Sequence, residues 1–240
     1  MPQGLRAGIG TYLIERRERA MGRLPLPEAF DEVYRRGMWR QGRSLSGIGS
    51  EGPLAERYVS LVREYAAAHG LRTALDGGAG DFSVGSRLAM NFDRYTAMDV
   101  SPRIIDIDRQ KFAGPAWQHV EFIVADLTAG PFPSAELVLI RQVLQHLTNV
   151  QIGMVLKNLE ASSWRRALIT EDVHDPVGNQ SPNRDLPSHT VRTRRSLGSG
   201  VFLDQPPFDC AVRRLATILP SGDAHQRSGG LLVFEFNRDS

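Results

Sequence analysis

Three short apolar runs in the sequence each end at an aspartate, and these carboxylates are the first candidates for chemistry. Asp76 follows residues 73–75, Asp99 follows residues 95–98, and Asp126 follows residues 119–125. Segments long enough for helices separate the runs, so the pattern predicts β-α-β units whose strands end along one edge of a parallel sheet. At that edge Asp76 could pair with a positively charged amino group, and Asp99 could accept hydrogen bonds from ribose hydroxyls.

A glycine-rich turn follows the first run and contains Gly77, Gly78 and Gly80. Without Cβ atoms the backbone can turn sharply there and approach a ligand closely. A dinucleotide-binding turn would need a third glycine where Ser83 stands, and Asp81 would repel a pyrophosphate. No Gly-Lys-Ser/Thr sequence follows, which excludes a P-loop. The turn is therefore typical of a nucleoside site without a pyrophosphate, with an ordinary tight turn as the alternative.

These motifs resemble those of the class I S-adenosylmethionine-dependent methyltransferases over residues 55–172. Residues 75–80, Leu-Asp-Gly-Gly-Ala-Gly, resemble the first motif of that family. Residues 143–147, Val-Leu-Gln-His-Leu, and 167–173, Ala-Leu-Ile-Thr-Glu-Asp-Val, resemble a bacterial branch that acts on small molecules. The resemblance implies an α/β fold: a Rossmann-like three-layer sandwich with a mostly parallel seven-stranded sheet. Residues 212–219 and 231–236 are predicted to form its C-terminal antiparallel hairpin.

The resemblance also implies S-adenosylmethionine as the cofactor and a set of residues that bind it. In the core of the fold these are Asp76, Gly77, Gly78, Gly80, Asp99, Val100, Asp126, Leu127 and Arg141. Residues 1–52 are expected to form a helical N-terminal lid or extension, followed by the methyltransferase domain over residues 53–240. Trp39 and Ser50 of this lid are candidates for cofactor contact, although Trp39 could instead pack in the core and Ser50 could cap a helix.

The candidate catalytic residues follow the predicted fourth and fifth strands. His146 is the first candidate for a general base, and it is predicted to lie on the next helix or in the loop before it. The alternative for His146 is a hydrogen-bonded core residue beneath the site. Glu171 and Asp172 are adjacent in the fifth strand, so only one can point into the site, and the pattern favours Asp172. Mg²⁺ is possible but not favoured, because the branch often has an aspartate where Gln142 stands, and no metal-binding residues are predicted.

Helical periodicity predicts the elements that must position these residues. Helices are expected over residues 28–39, from Pro53 to His69, and from near Phe82. Ser101 and Pro102 open a further helix. On that helix Ile104, Ile105 and Ile107 are predicted to pack inward, whereas Asp106 and Asp108 are predicted to face water.

Composition limits the class of protein and its partners. The chain has 240 residues, 41% of them apolar, which is enough for one α/β core. The net charge of +2 gives no support for a nucleic-acid or membrane partner, and the single cysteine excludes an intrachain disulfide. No apolar stretch approaches 18 residues, so a cytoplasmic protein is expected. A homodimer is possible.

The polar segment after the fifth strand, residues 173–208, indicates the acceptor. It carries Asn183, Arg184, His189, Arg192, Arg194 and Arg195, which suit a hydroxyl-rich small molecule. We therefore predict O-methylation of a small polar acceptor, with a sugar or oligosaccharide favoured. The alternatives are N-methylation of a small amine or antibiotic, and a cofactor-binding protein without catalysis.

Overall fold

The computed structural model describes residues 20–40, 42–174, 181–189, 193–219 and 229–238. Residues 1–19 of the predicted N-terminal extension, Arg192, and most of the loop between the two strands of the predicted hairpin lie outside the described residues. The proposed division of the chain at residues 52 and 53 stays a prediction.

Seven strands among the described residues form one sheet in the order β3-β2-β1-β4-β5-β7-β6. The strands are β1 Thr73–Gly77, β2 Arg94–Asp99, β3 Val120–Val124, β4 Leu137–Arg141, β5 Arg166–Val173, β6 Arg213–Ile218 and β7 Gly230–Asn237. The first five run parallel, and β7 is antiparallel to both β5 and β6. This arrangement confirms the predicted fold class and its C-terminal hairpin. Strand order reverses between β1 and β4, where open α/β sheets bind their ligands.

Helices pack on both faces of the sheet, and one helix lies over the carboxyl ends of the parallel strands. They are α1 Leu26–Arg36, α2 Gly52–Ala68, α3 Gly85–Ala89, α4 Pro102–Lys111 and α5 Asn149–Ala161. Local sequence explains two of their starts. The Ser101 hydroxyl accepts a hydrogen bond from the Ile104 N–H ahead of Pro102, and Thr148 with Gln151 forms a capping box at the start of α5.

Alternating strand residues divide the apolar core into two layers. Ala74, Leu137 and Leu139 belong to the layer that α2 covers, with Tyr58 and Val62 among its buried residues. Leu75, Val138 and Ile140 point to the opposite face, where Ile152, Val155 and Leu159 of α5 cover them. Because successive side chains of a strand point to opposite faces, one apolar run supplies both layers.

Two of the helix predictions are wrong. Asp108 is only 1% exposed because it lies one turn after the buried Ile104, whereas Ile107 is 38% exposed. Burial raises the pKa of Asp108 to about 8. The helix predicted from Phe82 begins instead at Gly85, since Phe82 itself adopts a left-handed backbone with φ of 57°.

None of the helices in the described ranges combines the length and the apolar character that spanning a membrane requires.

Candidate active site

A cavity of about 820 Å³ opens at the carboxyl ends of the parallel strands, beneath α1 and residues 46–54. Most of the residues predicted from the sequence line it: Trp39, Ser50, Asp76, Gly78, Gly80, Asp99, Val100, Asp126, Leu127, Arg141, His146 and Asp172. A volume of this size lies within the range of small-molecule sites. The structure therefore brings the predicted cofactor and catalytic residues to one place.

The glycine turn is held against the end of β2. The N–H groups of Gly78 and Ala79 both donate to the carbonyl of Met98, at 2.7 and 3.0 Å. The Gly80 N–H donates to Oδ2 of Asp99 at 3.0 Å. The Asp99 carboxylate thus fixes the glycine turn and also lines the cavity.

The two turn glycines with positive φ sit where side chains would not fit. A Cβ on Gly78 would lie 2.3 Å from Cγ2 of Val143, and a Cβ on Gly80 would lie 2.2 Å from Oγ of Ser46. The turn therefore touches the segment after β4 on one side and the N-terminal segment on the other. Gly77 differs, because it ends β1 behind the cavity wall, where a Cβ would lie 3.0 Å from Leu127. Gly77 was predicted to line the cofactor site, but it packs against Leu127 instead.

Two buried carboxylates give the cavity its negative charge. Burial raises the pKa of Asp99 to about 6, although hydrogen bonds from Ser101 and Gly80 oppose this rise. Burial also raises the pKa of Asp76 to about 6, against the opposing effects of the Tyr95 hydroxyl and the Arg141 charge. The Tyr95 hydroxyl donates to Oδ2 of Asp76 at 2.9 Å. Both groups are mainly ionised at neutral pH.

Arg141 supplies the positive charge. Its guanidinium lies 5.1 Å from the centroid of the Tyr58 ring and donates to the carbonyl of Gly49. Its buried Nε–H has no partner among the described residues. An anionic group in the cavity would satisfy that donor.

At the far end of the cavity Asp126 forms a turn after β3. Its Oδ1 accepts hydrogen bonds from the N–H and the hydroxyl of Thr128, at 2.7 and 2.8 Å. The other carboxylate oxygen and the apolar side chain of Leu127 complete this end, which suits a purine ring with an exocyclic amino group. Together, Asp99, Asp76 and Arg141 suit the ribose, ammonium and carboxylate of an adenosyl amino acid, so the residues present fit the implied cofactor.

Asp81, which the sequence offered only as an argument against a pyrophosphate, fastens the N-terminal segment over the cavity. Its Oδ2 accepts hydrogen bonds from the hydroxyl of Ser44 at 2.9 Å and the N–H of Leu45 at 2.6 Å. Its own N–H donates to Oγ of Ser46 at 2.8 Å. Because Ser46 precedes Asp81 by 35 residues, no local sequence pattern links the two, and sequence reasoning missed this contact.

Ser50 lies in a short 3₁₀ turn, Ile48–Ser50, in this same segment. The predicted helix cap is not formed, because α2 begins at Gly52 with Glu51 in the capping position and no side chain bonded there. Ser50 instead lines the cavity.

His146 ends a 3₁₀ turn, Leu144–His146, ahead of α5. The side chain is 7% exposed and forms part of the cavity wall. Its ring lies 4.9 Å from that of Trp39, tilted by 33°, and 6.1 Å from the edge-on ring of Phe30. The lid residue Trp39 thus contacts the candidate base.

Glu171 does not line the cavity, so its predicted catalytic role is wrong. Its fully buried carboxylate accepts hydrogen bonds from the N–H groups of Val143, Leu144 and Gln145, at 3.2, 2.9 and 3.0 Å. Burial raises its pKa to about 8 despite these bonds. Glu171 therefore holds the turn that carries His146.

Asp172 points into the cavity, as the strand alternation predicts. Its Oδ2 lies 3.4 Å from Nη1 of Arg195. Burial raises the pKa of Asp172, and the positive charge of Arg195 opposes this rise. Asp172 and Arg195 offer an acceptor and a donor side by side to a polar ligand.

Two of the polar residues expected to bind the acceptor, Asn183 and Arg194, serve the fold instead. The Asn183 amide bonds the backbone of Phe202 in both directions, with the Phe202 N–H 2.8 Å from its Oδ1. Arg194 is also buried, and Thr193 and Arg195 are the members of this loop that line the cavity. Polarity alone does not separate a loop residue that bonds its own backbone from one that meets a ligand.

A metal was possible but not favoured from the sequence. Within the described part of the chain no group of three or more His, Cys, Asp or Glu residues is arranged to hold one. Gln142, at the departure from the family pattern, lines the cavity with a left-handed backbone of φ 55°.

Comparison with known proteins agrees with this geometry. Residues 74–162 match a family model described as a methyltransferase domain. No curated protein matches the chain. The chain is similar to the N-methyltransferase NodS from Bradyrhizobium japonicum WM9, solved with S-adenosyl-L-homocysteine, with a TM-score of 0.60 and 17% identity over 87% of this chain and 99% of that one. It is also similar to magnesium protoporphyrin IX methyltransferase (ChlM) from Synechocystis PCC 6803 with bound SAM, with a TM-score of 0.52 and 17% identity over 88% and 94% of the two chains.

At such identities the structural likeness shows the fold, and the domain match adds the activity. The matched region begins in β1 and ends just after α5, so it contains the glycine turn, Asp99 and His146. Residues 74–162 thus match a methyltransferase domain, and the sheet order and the cavity that fits an adenosyl amino acid give the chain the Rossmann-like fold and the cofactor site of an S-adenosylmethionine-dependent methyltransferase.

Proposed function

We propose that this methyltransferase acts on a hydroxyl of a small polar acceptor, a sugar or oligosaccharide, with His146 as the general base. The observation that carries the proposal is a buried imidazole that lines the same cavity as Asp172 and Arg195. A hydroxyl acceptor must lose its proton as it is methylated, and an imidazole titrates in the range where it can accept one.

S-adenosylmethionine, when bound, supplies an electrophilic methyl group on a sulfonium. The cofactor would give this methyl group to the acceptor oxygen and leave as S-adenosylhomocysteine, while the His146 imidazole accepts the hydroxyl proton. The main task of the chain is to hold the acceptor in line for this displacement. Trp39 and Phe30 contact the imidazole ring, which keeps water away from it.

Asp172 and Arg195 are suited to bind the acceptor beside His146. A carboxylate accepts hydrogen bonds from hydroxyl groups and a guanidinium donates to them, so a neighbouring pair can bind two hydroxyls of one molecule. We also propose a relation to the mycobacterial enzyme that 1-O-methylates precursors of methylmannose polysaccharide. That relation, like a cytoplasmic location, a homodimer, and the lack of a nucleic-acid or membrane partner, stays a prediction.

Mass spectrometry of products from methyl-labelled S-adenosylmethionine tests the acceptor class. We would incubate the protein with separate pools of sugars, amines and phenols, and use Asp172→Asn as the matched variant. The expected result is label in an ether of a sugar hydroxyl, with at least tenfold less product from the variant. Label found only in methylated amines would contradict the proposal.

N-methylation of a small amine is the second candidate, supported by the similarity to NodS, which is an N-methyltransferase. A neutral amine has a lone pair ready for attack and needs no strong base. An N-methyltransferase built on this cavity would therefore retain most of its rate without His146.

Loosening the lid should weaken cofactor retention. Asp81→Ala removes the acceptor for Ser44 and Leu45, and hydrogen bonds to a charged group contribute about 1.5–3 kcal/mol each. We expect S-adenosylhomocysteine to dissociate about tenfold faster in stopped-flow measurements. Asp106→Ala, at an exposed carboxylate on α4, is the control and should leave the rate unchanged. Equal rates in wild type and Asp81→Ala would show that the segment does not retain the cofactor.

Cofactor affinity should fall below about pH 6. Burial raises the pKa of Asp76 to about 6, so acid neutralises the carboxylate that would face the ammonium group. Tyr95→Phe removes the hydrogen bond that opposes this rise, which raises the pKa of Asp76 further and moves the loss of affinity to higher pH. Calorimetry from pH 5 to 8 measures this midpoint. Tyr65→Phe, whose hydroxyl bonds the remote Glu235, should not move it.

The stability of the cofactor-free protein should follow the opposite trend. A carboxyl group whose pKa is raised by folding contributes stability below its unfolded pKa, near 4, and this contribution is lost as the pH rises through 6. Urea unfolding of the cofactor-free protein at each pH separates the two effects.

The binding experiment can also contradict the assignment of Asp76. It does so if Tyr95→Phe leaves unchanged the pH at which half of the cofactor affinity is lost.

A further inference from the structure

Two segments meet beside His146, and one buried side chain joins them. The first is the turn between β4 and α5 with the first residue of α5, residues 142–149, and the second is the described part of the loop after β5, residues 181–189 and 193–199. Arg194 in the second segment is fully buried, at 0% exposure, and has the largest volume of the fully buried side chains. Its neighbours Thr193 and Arg195 both line the cavity. A buried charged group is costly unless its donors are satisfied, and here both Nη atoms have acceptors whereas the buried Nε–H has none among the described residues.

The Arg194 guanidinium bonds both segments at once. Nη2 donates to the carbonyl of Leu147, the residue after His146, at 2.6 Å. Nη1 donates to Oδ1 of Asn149 at 2.7 Å and to the carbonyl of Arg184 at 2.9 Å. The first two acceptors belong to the end of the His146 turn and the start of α5. The third belongs to the loop after β5.

Glu171 holds the other end of the same turn through three backbone N–H groups. The turn thus has the buried Glu171 carboxyl group at its N–H end and the buried Arg194 guanidinium at its carbonyl end. Of the two, only Arg194 also lies in the loop whose residues meet the acceptor.

We infer that Arg194 is a positioning residue that fixes His146 relative to the acceptor-lining residues Thr193 and Arg195. The inference rests on the proposed function, since it takes His146 as the proton acceptor. A planar guanidinium can reach three acceptors in fixed directions, whereas a lysine ammonium has a different geometry and reach. A shift of about 1 Å in such a contact can cost about a hundredfold in rate.

The Arg194→Lys variant tests this inference, because lysine keeps the positive charge but lacks the planar guanidinium that reaches three acceptors. We expect kcat to fall at least tenfold while the calorimetric Kd for S-adenosylhomocysteine stays within about twofold. The matched control is Arg238→Lys. The Arg238 guanidinium also donates to backbone carbonyls, those of Ser162 at 2.7 Å and of Glu160, and it lies 4.0 Å from the Trp164 ring centroid at the opposite end of α5. A merely structural role would make the two variants alike in kcat.

A readout independent of turnover follows the ring itself. In cofactor-free protein with ¹⁵N-labelled histidine, the His146 signals should shift or broaden in Arg194→Lys and stay in place in Arg238→Lys. If Arg194→Lys does not fold, Asn149→Ala removes one of the three acceptors and leaves the charge in place. It should give about a threefold loss of kcat and a smaller shift of the same signals.

The double variant with His146→Ala separates the outcomes. If Arg194 acts through His146, adding Arg194→Lys to His146→Ala should cost less than twofold more. The inference would be overturned if the two losses in kcat multiplied in the double variant, or if the kcat of Arg194→Lys stayed within twofold of wild type. A His146→Ala enzyme with wild-type kcat would instead overturn the proposed function, and the inference with it, so the two failures differ in which single variant stays active.

Discussion

Replacing Asp99 with alanine is expected to abolish cofactor binding, with a loss of affinity of at least a hundredfold by calorimetry. Asp99 lines the cavity and accepts hydrogen bonds from the N–H groups of Gly80 and Ser101, both at 3.0 Å. The change therefore removes the acceptor for the ribose hydroxyls and releases the glycine turn. Two hydrogen bonds to a charged group, at about 1.5–3 kcal/mol each, are enough for this loss.

Asp99→Asn separates the two contributions. Its amide oxygen can still accept the Gly80 N–H but carries no charge, so we expect an affinity between those of wild type and Asp99→Ala. Asp93→Ala, at an exposed residue paired with Arg72 just before β2, is the control for general effects of losing an aspartate. An unchanged Kd for Asp99→Ala in a folded protein would show that the ribose assignment is wrong.

His146→Ala is expected to lower kcat by about a hundredfold or more, with little change in cofactor affinity. General base catalysis contributes about 10²–10⁴ in rate, and the imidazole lies in the cavity wall beside the proposed acceptor residues. Steady-state kinetics at saturating cofactor measures the loss of kcat, and calorimetry measures the cofactor affinity.

His69→Ala provides the control, since His69 stacks on Tyr65 at the end of α2, away from the cavity. Because Trp39 packs on His146, unfolding curves and the calorimetric Kd must show that the lid still closes in His146→Ala. A loss of less than about threefold with an intact lid would exclude His146 as the base and favour the N-methylation alternative.

The sequence predicted the strands well because each is a short apolar run with a polar end. Asp76, Asp99 and Asp126 reached one cavity since parallel strands end at one edge. The strand alternation also separated Asp172 from Glu171 in the predicted way. What could not be predicted was the use of Glu171, because three backbone N–H groups that converge on a carboxylate leave no sequence pattern.

The errors share a physical cause. Asp108 and Arg194 are charged residues in the interior, and polarity predicts exposure unless long-range packing overrides it. His146, in contrast, lies in the turn before α5, the second of its two predicted positions, because Thr148 and Gln151 form a capping box that starts α5 at Asn149. That box corresponds to a Thr-x-x-Gln pattern in the sequence, which favours the turn over the helix for His146.

The segment over the cavity is bonded to both of its walls, to Asp81 beside the glycine turn and to Arg141 at the end of β4. We expect cofactor exchange to require that these bonds break and form again. The same few contacts therefore affect both how long the cofactor stays bound and how fast the enzyme turns over. A tighter seal would protect the sulfonium from water but lengthen every cycle, so the chain can tune its pace without any change at the reacting atoms.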